Sequence, residues 1–199
     1  MFEREQYPFE VDDEGLLRLA CEGDERAFSE LFTRYQRPIY RYAAHMCGTD
    51  AGDDVVQETF LALLRQAGRY DPSRGPLVGY LFGIARHFVL KQLASRYESA
   101  LLSDLDDTIV GAPLEGQPTV LDSLTRAETI ETVRTAVHSL PPPYREVIVL
   151  CVLQEMDYAT AAGIVQCPIG TIRSRLHRAR ALLTTKLAVT QPVACAHRD

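Results

Sequence analysis

The segment 170–180, GTIRSRLHRAR, concentrates four arginines and one histidine in a chain whose net charge is −6. Guanidinium groups pair with phosphate oxygens, and they can also bind the edge of guanine through two parallel hydrogen bonds. The composition of this segment therefore suits nucleic acid. An ordinary basic surface helix would have the same composition, so the spacing of the residues has to separate the two interpretations.

Helical periodicity divides the segment into two faces. An apolar stripe with 4-3-4-4 spacing consists of Ile172, Leu176, Ala179, Leu183 and Leu187. The opposite, polar side consists of Ser174, His177 and Arg178, and Thr171 and Arg173 border it. A short helix, DYATAAGIV, and a tight turn come before this segment, which is typical of a helix-turn-helix whose second helix enters the DNA major groove.

The remaining sequence also predicts helices, and it has no strand-like alternation of useful length. Residues 14–47 carry apolar side chains at helical spacing, and Gly23-Asp24 separates two helices, the second capped by Asp24. DDVVQETFLALLRQ and LVGYLFGIARHFVLKQLASRY follow as helices on either side of the loop AGRYDPSRGP. Two further helices, separated by Pro141-Pro142-Pro143, precede the helix-turn-helix.

Charge is distributed unevenly along the chain. Residues 1–15 form an acidic extension of net charge −5, and the linker candidate 97–125 has net charge −6. Residues 16–96 and 126–188 have net charges of +2 and +3, and the tail 189–199 is neutral. Because prolines and glycines interrupt the acidic strip, we predict an all-α fold with two small helical domains, 16–96 and 126–188, joined by a flexible acidic linker.

Several classes of protein lack support in this sequence. There is no Gly-rich phosphate loop, no H-E-x-x-H and no G-x-S-x-G, so we predict no catalytic residues. His45 with Cys47 and Cys195 with His197 could each supply two metal ligands, but neither pair resembles a structural zinc site. We therefore predict no metal and no cofactor.

The compartment is predicted from the cysteines and from the apolar runs. The five cysteines are odd in number and have no C-x-x-C spacing, which favours a reducing compartment. No apolar run reaches the ~18–20 residues of a membrane span, and the start MFEREQYPFEVDDEG has no signal-peptide pattern. We expect a cytoplasmic protein without membrane insertion.

Two segments carry a family resemblance. LPPPYREVIVLCVLQEMDYATAAGIVQCPIGTIRSRLHRARALL resembles region 4 of the extracytoplasmic-function group of bacterial sigma factors. DDVVQETFLALLRQAGRYDPSRGPLVGYLFGIARHFVLKQL resembles region 2 of the same group. The resemblance implies a protein that binds core RNA polymerase and directs promoter-specific transcription initiation. It also implies that an anti-sigma factor is a partner.

The resemblance assigns roles to particular residues. Region 4 is expected to dock on the flap of the polymerase beta subunit and to read the −35 element of promoter DNA. The residues expected to read it, named here the −35 set, are Thr171, Arg173, Ser174, His177 and Arg178. Region 2 is expected to bind the clamp helices of the beta-prime subunit with a core-binding set of Asp54, Gln57 and Glu58. The −10 set, expected to recognise and open the −10 element, consists of Arg69, Tyr70, Arg74, Tyr80, Arg86 and His87. Aromatic and cationic side chains suit unstacked bases and their phosphates.

The sequence departs from the family pattern at several positions. Tyr80 stands where tryptophan is usual, and His87 stands where asparagine is usual. The family commonly has an acid near the position of Lys91, so the charge there is reversed. Thr160 stands where glutamate is common, and Val-Gln-Cys at 165–167 replaces a Leu-Gly pair. These departures bear on the −10 sequence preference. The alternative function is an autonomous helix-turn-helix regulator that acts without core polymerase, although it gives no role to DDVVQETF.

Overall fold

The computed structural model describes residues 11–102 and 122–190 of the chain, and every regular element in these ranges is helical. The first half, residues 11–102, contains α1 (Asp13–Cys21), α2 (Glu25–Cys47), α3 (Gly52–Gln66) and α4 (Leu77–Leu102). The second half, residues 122–190, contains α5 (Asp122–His138), α6 (Pro142–Ile148), α7 (Tyr158–Val165) and α8 (Ile169–Thr190). The predicted all-α fold class is confirmed.

Helix occupies both ends of the segment that the sequence predicts as a linker. α4 continues to Leu102, because residues 93–102 contain neither proline nor glycine to stop it. α5 begins at Asp122, and residues 103–121 lie outside the described part of the chain. The domain boundaries at 16–96 and 126–188 stay predictions.

Local capping explains where the helices of the first half begin and end. Asp12 caps α1 by accepting a hydrogen bond from the Gly15 amide at 2.8 Å. Asp24 caps α2, as predicted, by accepting from the Arg26 and Ala27 amides at 2.9 and 3.1 Å. Gly48 then ends α2 with a φ of +89°, a conformation that glycine adopts without steric cost.

The core of the first half lies where α2 packs on α1, α3 and α4. The ring of Phe60 on α3 lies 4.8 Å from that of Phe32 and 6.0 Å from that of Phe28, both on α2. Tyr42 is fully buried, and its ring lies 5.5 Å from that of Phe82 on α4. These aromatic contacts fix α3 and α4 against the central helix α2.

In the second half, the apolar stripe of the basic helix faces the core. Ile172, Leu176 and Ala179 are buried where α8 packs on α6, and Leu183 is partly buried against the same core. The five residues Val149–Leu153 continue α6 as a π-helical turn. α7 and α8 meet at a tight turn, which confirms the helix-turn-helix predicted from the spacing.

The two halves pack against each other, with α4 on α7 and α2 on α5 and α6. Their buried side chains form one continuous hydrophobic cluster. Polar contacts reinforce the junction: Arg145 Nη1 donates to the Met46 carbonyl at 3.1 Å, and Gln154 Nε2 donates to the Pro38 carbonyl at 3.1 Å. The sequence predicts both halves but not this docking.

One residue in the turn between α7 and α8, Gln166, has an unfavourable backbone conformation. Gln166 ends α7 in the left-handed conformation, with φ 58° and ψ 50°, where a side chain is unfavourable and glycine is not. We expect Gln166→Gly to raise the free energy of unfolding by about 1 kcal/mol. Urea denaturation would measure the change. Gln166→Ala keeps the Cβ atom and should bring no such gain, so equal effects of the two substitutions would contradict the assignment.

Candidate nucleic-acid interface

The −35 set lies on the surface of α8. Arg173, Ser174, His177 and Arg178 are exposed, whereas Thr171 is half-buried in the first turn. The Ser174 hydroxyl donates to the Thr171 carbonyl at 3.0 Å. Because the apolar stripe of α8 is buried, the opposite face is rigidly held and presents two guanidinium groups and an imidazole to the solvent.

α7 is positioned for this helix-turn-helix by a strong N-terminal cap. Asp157 accepts hydrogen bonds from the amides of Ala159 and Thr160, both at 2.9 Å, and from the Thr160 hydroxyl at 2.6 Å. These bonds, led by the Thr160 hydroxyl, lower the pKa of Asp157. Thr160, which departs from the family pattern, therefore has a clear structural role as the partner of the cap.

The structure brings the whole −10 set together in one cleft of about 1090 Å³. The first half supplies one wall, which consists of the end of α3, the loop after it and α4. The other wall is α7, which contributes Ala159, Thr160, Gly163 and Ile164. Sequence reasoning selected the residue types of the first wall, but it did not foresee that the second half would supply the other.

Two tyrosines anchor the loop side of the cleft. The rings of Tyr70 and Tyr80 lie 5.5 Å apart, and the Tyr80 hydroxyl donates to the Gln66 carbonyl at 3.2 Å. The Tyr70 hydroxyl lies 3.2 Å from Glu14 Oε1 and 3.3 Å from the Gly75 carbonyl. Burial, and next the bond to Glu14, raise the pKa of Tyr70 to about 12, so its phenol stays neutral.

Arg86 differs from the rest of the −10 set because its charge is already paired. Its Nε donates to Glu146 Oε1 at 2.8 Å, and its Nη2 lies 3.5 Å from Glu146 Oε2. The Tyr42 hydroxyl donates to the same Oε1 at 3.0 Å. Glu146 is the important residue that sequence reasoning missed, since an acid in a helix of the second half gave no signal of partners in the first.

The remaining cations of the −10 set, Arg69, Arg74 and His87, are set differently. Arg69 Nη1 donates to Gln66 Oε1 at 3.1 Å, across a single turn at the end of α3. Arg74 is exposed at the loop, and His87 is exposed beside the Phe88 ring. All three side chains line the cleft together with Arg86, whose side chain is only 21% exposed.

The core-binding set shares one exposed face of α3. Asp54, Gln57 and Glu58 are all exposed, whereas their neighbours Val55, Val56, Thr59 and Phe60 are buried. Leu61 and Leu64 extend the exposed face with fractional exposures of 37% and 42%. The sequence predicted only the polar part of this face. The apolar extension was missed, because helical spacing assigns leucines to a core by default.

The described ranges were compared with what a metal site, a disulfide and a membrane-spanning helix each require. No group of three or more histidine, cysteine, aspartate or glutamate side chains there is placed to hold a metal ion. The described cysteines, Cys21, Cys47, Cys151 and Cys167, are free thiols. None of the described helices combines the length and the apolar character that a bilayer span requires.

Comparison with known proteins identifies both halves. The family described as Sigma-70 region 2 matches residues 31–98, and the family described as Sigma-70, region 4 matches residues 130–183. A probable RNA polymerase sigma-C factor of Mycobacterium bovis is 31% identical over 176 residues, which cover 85% of this chain and 89% of the relative. An ECF RNA polymerase sigma-E factor of Haemophilus influenzae is 29% identical over 185 residues, which cover 89% of this chain and 96% of the relative.

Solved structures agree with these sequence relatives. The sigma factor RpoE of Bartonella quintana, in complex with the anti-sigma factor NepR, has a TM-score of 0.67 at 26% identity and covers 82% of this chain and 98% of that one. CnrH, in complex with the cytosolic domain of CnrY, has a TM-score of 0.64 at 25% identity. The match covers 90% of this chain and 99% of CnrH. The similarity extends over both halves.

The buried carboxylate of Glu146 generates a stability prediction. Glu146→Ala would leave the Arg86 guanidinium and the Tyr42 hydroxyl without their acceptor, and we expect a loss of about 2–3 kcal/mol in the free energy of unfolding. Glu22→Ala is the matched control, since it removes a carboxylate from the exposed Arg18–Glu22 pair and should cost less than ~0.5 kcal/mol. Urea denaturation of both variants checks this, and similar losses would mean that the junction does not depend on Glu146.

Proposed function

The chain belongs to the extracytoplasmic-function sigma factors of RNA polymerase, and we propose here how its surfaces divide the work of transcription initiation. α8 reads the −35 element, the cleft beside α4 receives the −10 element, and the exposed face of α3 binds core polymerase. The observation that carries this proposal is that each set of side chains, chosen by residue type and motif, shares one continuous surface. An autonomous regulator is not favoured, because the family match includes residues 31–98 as well as the helix-turn-helix.

The proposal for the −35 element rests on the exposed face of α8. Two arginines and a histidine project from a helix whose other face is buried, and the helix is long enough to lie along a major groove. Arg173 and Arg178 supply phosphate or guanine contacts, and Ser174 and His177 supply uncharged or titratable hydrogen-bonding groups. Thr171, in the first turn, contributes from the helix end that is closest to the bases.

The proposal for the −10 element requires a change in the junction. In the observed arrangement α7 forms one wall of the cleft, and the charge of Arg86 is paired with Glu146. A single strand of promoter DNA could stack on Tyr70 and Tyr80 and reach the nearby cations only after α7 moves away. The described arrangement is therefore proposed as the resting form, and separation of the halves precedes promoter opening.

The proposal for core polymerase rests on α3. Its outward face offers carboxylates in the first two turns and leucines in the next, a combination that suits a partner helix carrying both basic and apolar side chains. The acids near the amino end also stabilise the helix dipole, and the two roles are compatible.

Partners and location follow from the same family membership. The structures of two relatives contain an anti-sigma factor or the cytosolic domain of a second protein, and we propose that this chain is likewise held by an anti-sigma factor. It acts in the cytoplasm, where core polymerase works. Sigma factors in general are not enzymes, and we propose that this chain has no catalytic activity of its own.

The −35 assignment predicts a specific defect. Arg178→Ala should weaken binding of the holoenzyme to a −35-dependent promoter by about tenfold or more, since one good base contact contributes ~1–3 kcal/mol. Core binding should not change. Run-off transcription in vitro with core polymerase measures the effect. Arg180→Ala removes the same charge from the flank of the helix and should have the smaller effect, so equal defects would contradict base or register contacts by Arg178.

The core-binding assignment predicts a different defect. Asp54→Lys combined with Glu58→Lys should reduce affinity for core polymerase at least tenfold, because cations would then face the basic partner. Competition against the unmodified chain for limiting core polymerase measures the loss. Glu22→Lys combined with Glu25→Lys is the control, as it changes the net charge equally on exposed positions of the first half. A deficit shared by both variants would indicate a general charge effect.

A further inference from the structure

Two histidines meet at the junction of the halves. His45 lies in the last turn of α2, and His138 is the last residue of α5. Their ring centroids are 5.7 Å apart with an interplanar angle of 31°. Both side chains are half-buried, and among the described residues His45 Nδ1 is buried without a hydrogen-bond partner. Neither ring has a role in the proposed reading of promoter DNA.

One imidazole and three arginines act on the pKa of His45. α5 contributes His138 and Arg134, α6 contributes Arg145, and α2 itself contributes Arg41. On α4, the guanidinium of Arg96 lies close to Gly48, one turn beyond His45. No acid is among the groups that act most strongly on the pKa of His45.

His138 has a similar surrounding with one acid. Burial is the largest cause that lowers the pKa of His138. Arg145 and Arg134 lower it further, and Glu131 raises it. Glu131, however, accepts a hydrogen bond from Arg134 at 2.8 Å, so its charge is shared with that arginine. Burial and the neighbouring arginines therefore oppose a proton on either ring.

Arg145 cannot turn away from the histidines, because backbone carbonyls hold its guanidinium. It donates to the carbonyls of Met46 and Leu140, both at 3.1 Å, and to the carbonyl of His138. These carbonyls lie at the carboxyl ends of α2 and α5, where the helix dipoles favour a cation. A fixed positive charge thus sits between the two halves, next to both imidazole rings.

We infer that the His45–His138 pair is an acid-sensitive release for the junction: a proton on either ring favours separation of α2 from α5 and α6. The separation would expose the cleft, and its consequence for promoter binding rests on the function proposed above. The pH-dependent separation itself does not rest on that function.

The sign of the effect follows from the pKa values. Burial, and then the neighbouring cations, lower the pKa of His45 to about 4 in the docked arrangement, from an ordinary value of 6.5. A group with a lowered pKa stabilises the docked arrangement fully above pH 6.5 and progressively less below it. At pH 5.5, His45 alone would shift the equilibrium about tenfold towards separation, and His138 would act in the same direction.

The test uses the full chain and measures its size. Small-angle X-ray scattering should show an increase in the radius of gyration as the pH falls from 7.5 to 5.5, while far-UV circular dichroism shows unchanged helix content. His45→Gln combined with His138→Gln should remain compact over the same range. His177→Gln removes an exposed histidine remote from the junction and should expand like the unmodified chain.

Several outcomes would overturn the inference. These are a constant radius in the unmodified chain, an equal expansion in the double variant, or an expansion accompanied by loss of helix. Should the double variant fail to dock at pH 7.5, an NMR titration of the unmodified chain decides: a His45 pKa well below 6.5 supports the release, and a pKa at or above 6.5 rules it out. None of these measurements involves DNA or polymerase, so their failure is distinct from failure of the proposed function.

Discussion

Two adjacent charged residues of α6, the half-buried Arg145 and the buried Glu146, join the two halves of this protein. Glu146 accepts from Arg86 and Tyr42 of the first half, and Arg145 donates to the Met46 carbonyl there and to two carbonyls of its own half. A buried carboxylate without such partners would be strongly unfavourable. The polar atoms of α6 therefore specify one docking geometry, and the apolar cluster around them supplies most of the burial.

This docking geometry decides what the cleft can do. Its cations and tyrosines come from the first half, but α7 of the second half closes it, and Arg86 uses its charge within the protein. The Nε and Nη2 groups of this guanidinium are directed at Glu146, so a phosphate would have to compete with that carboxylate for them. The proposed reading of the −10 element therefore depends on the position of the second half. A partner protein or a proton that changes the junction would also change access to the cleft.

The departures from the family pattern have different physical consequences. Thr160 reinforces the cap of α7 by donating its hydroxyl to Asp157 Oδ2, a hydrogen bond that an ionised glutamate at this position could not donate. Gln166 occupies a left-handed position that glycine would occupy without strain. Tyr80 gains a hydrogen bond to the end of α3. Nothing in the structure explains His87 or Lys91, both of which are exposed.

The sequence by itself determined the helices, their caps and the two faces of α8, because these depend on neighbours within one or two turns. Asp24 and Gly48 act on amides and carbonyls close to them, and the spacing of Ile172, Leu176 and Ala179 sets which side is buried. It also supplied the residue types of the cleft. Only the tertiary structure decided that these types converge beside α7 and that Glu146 is their counter-charge. Its partners lie 60 and 104 residues away along the chain, and no local periodicity relates groups that meet only after two helical units have docked.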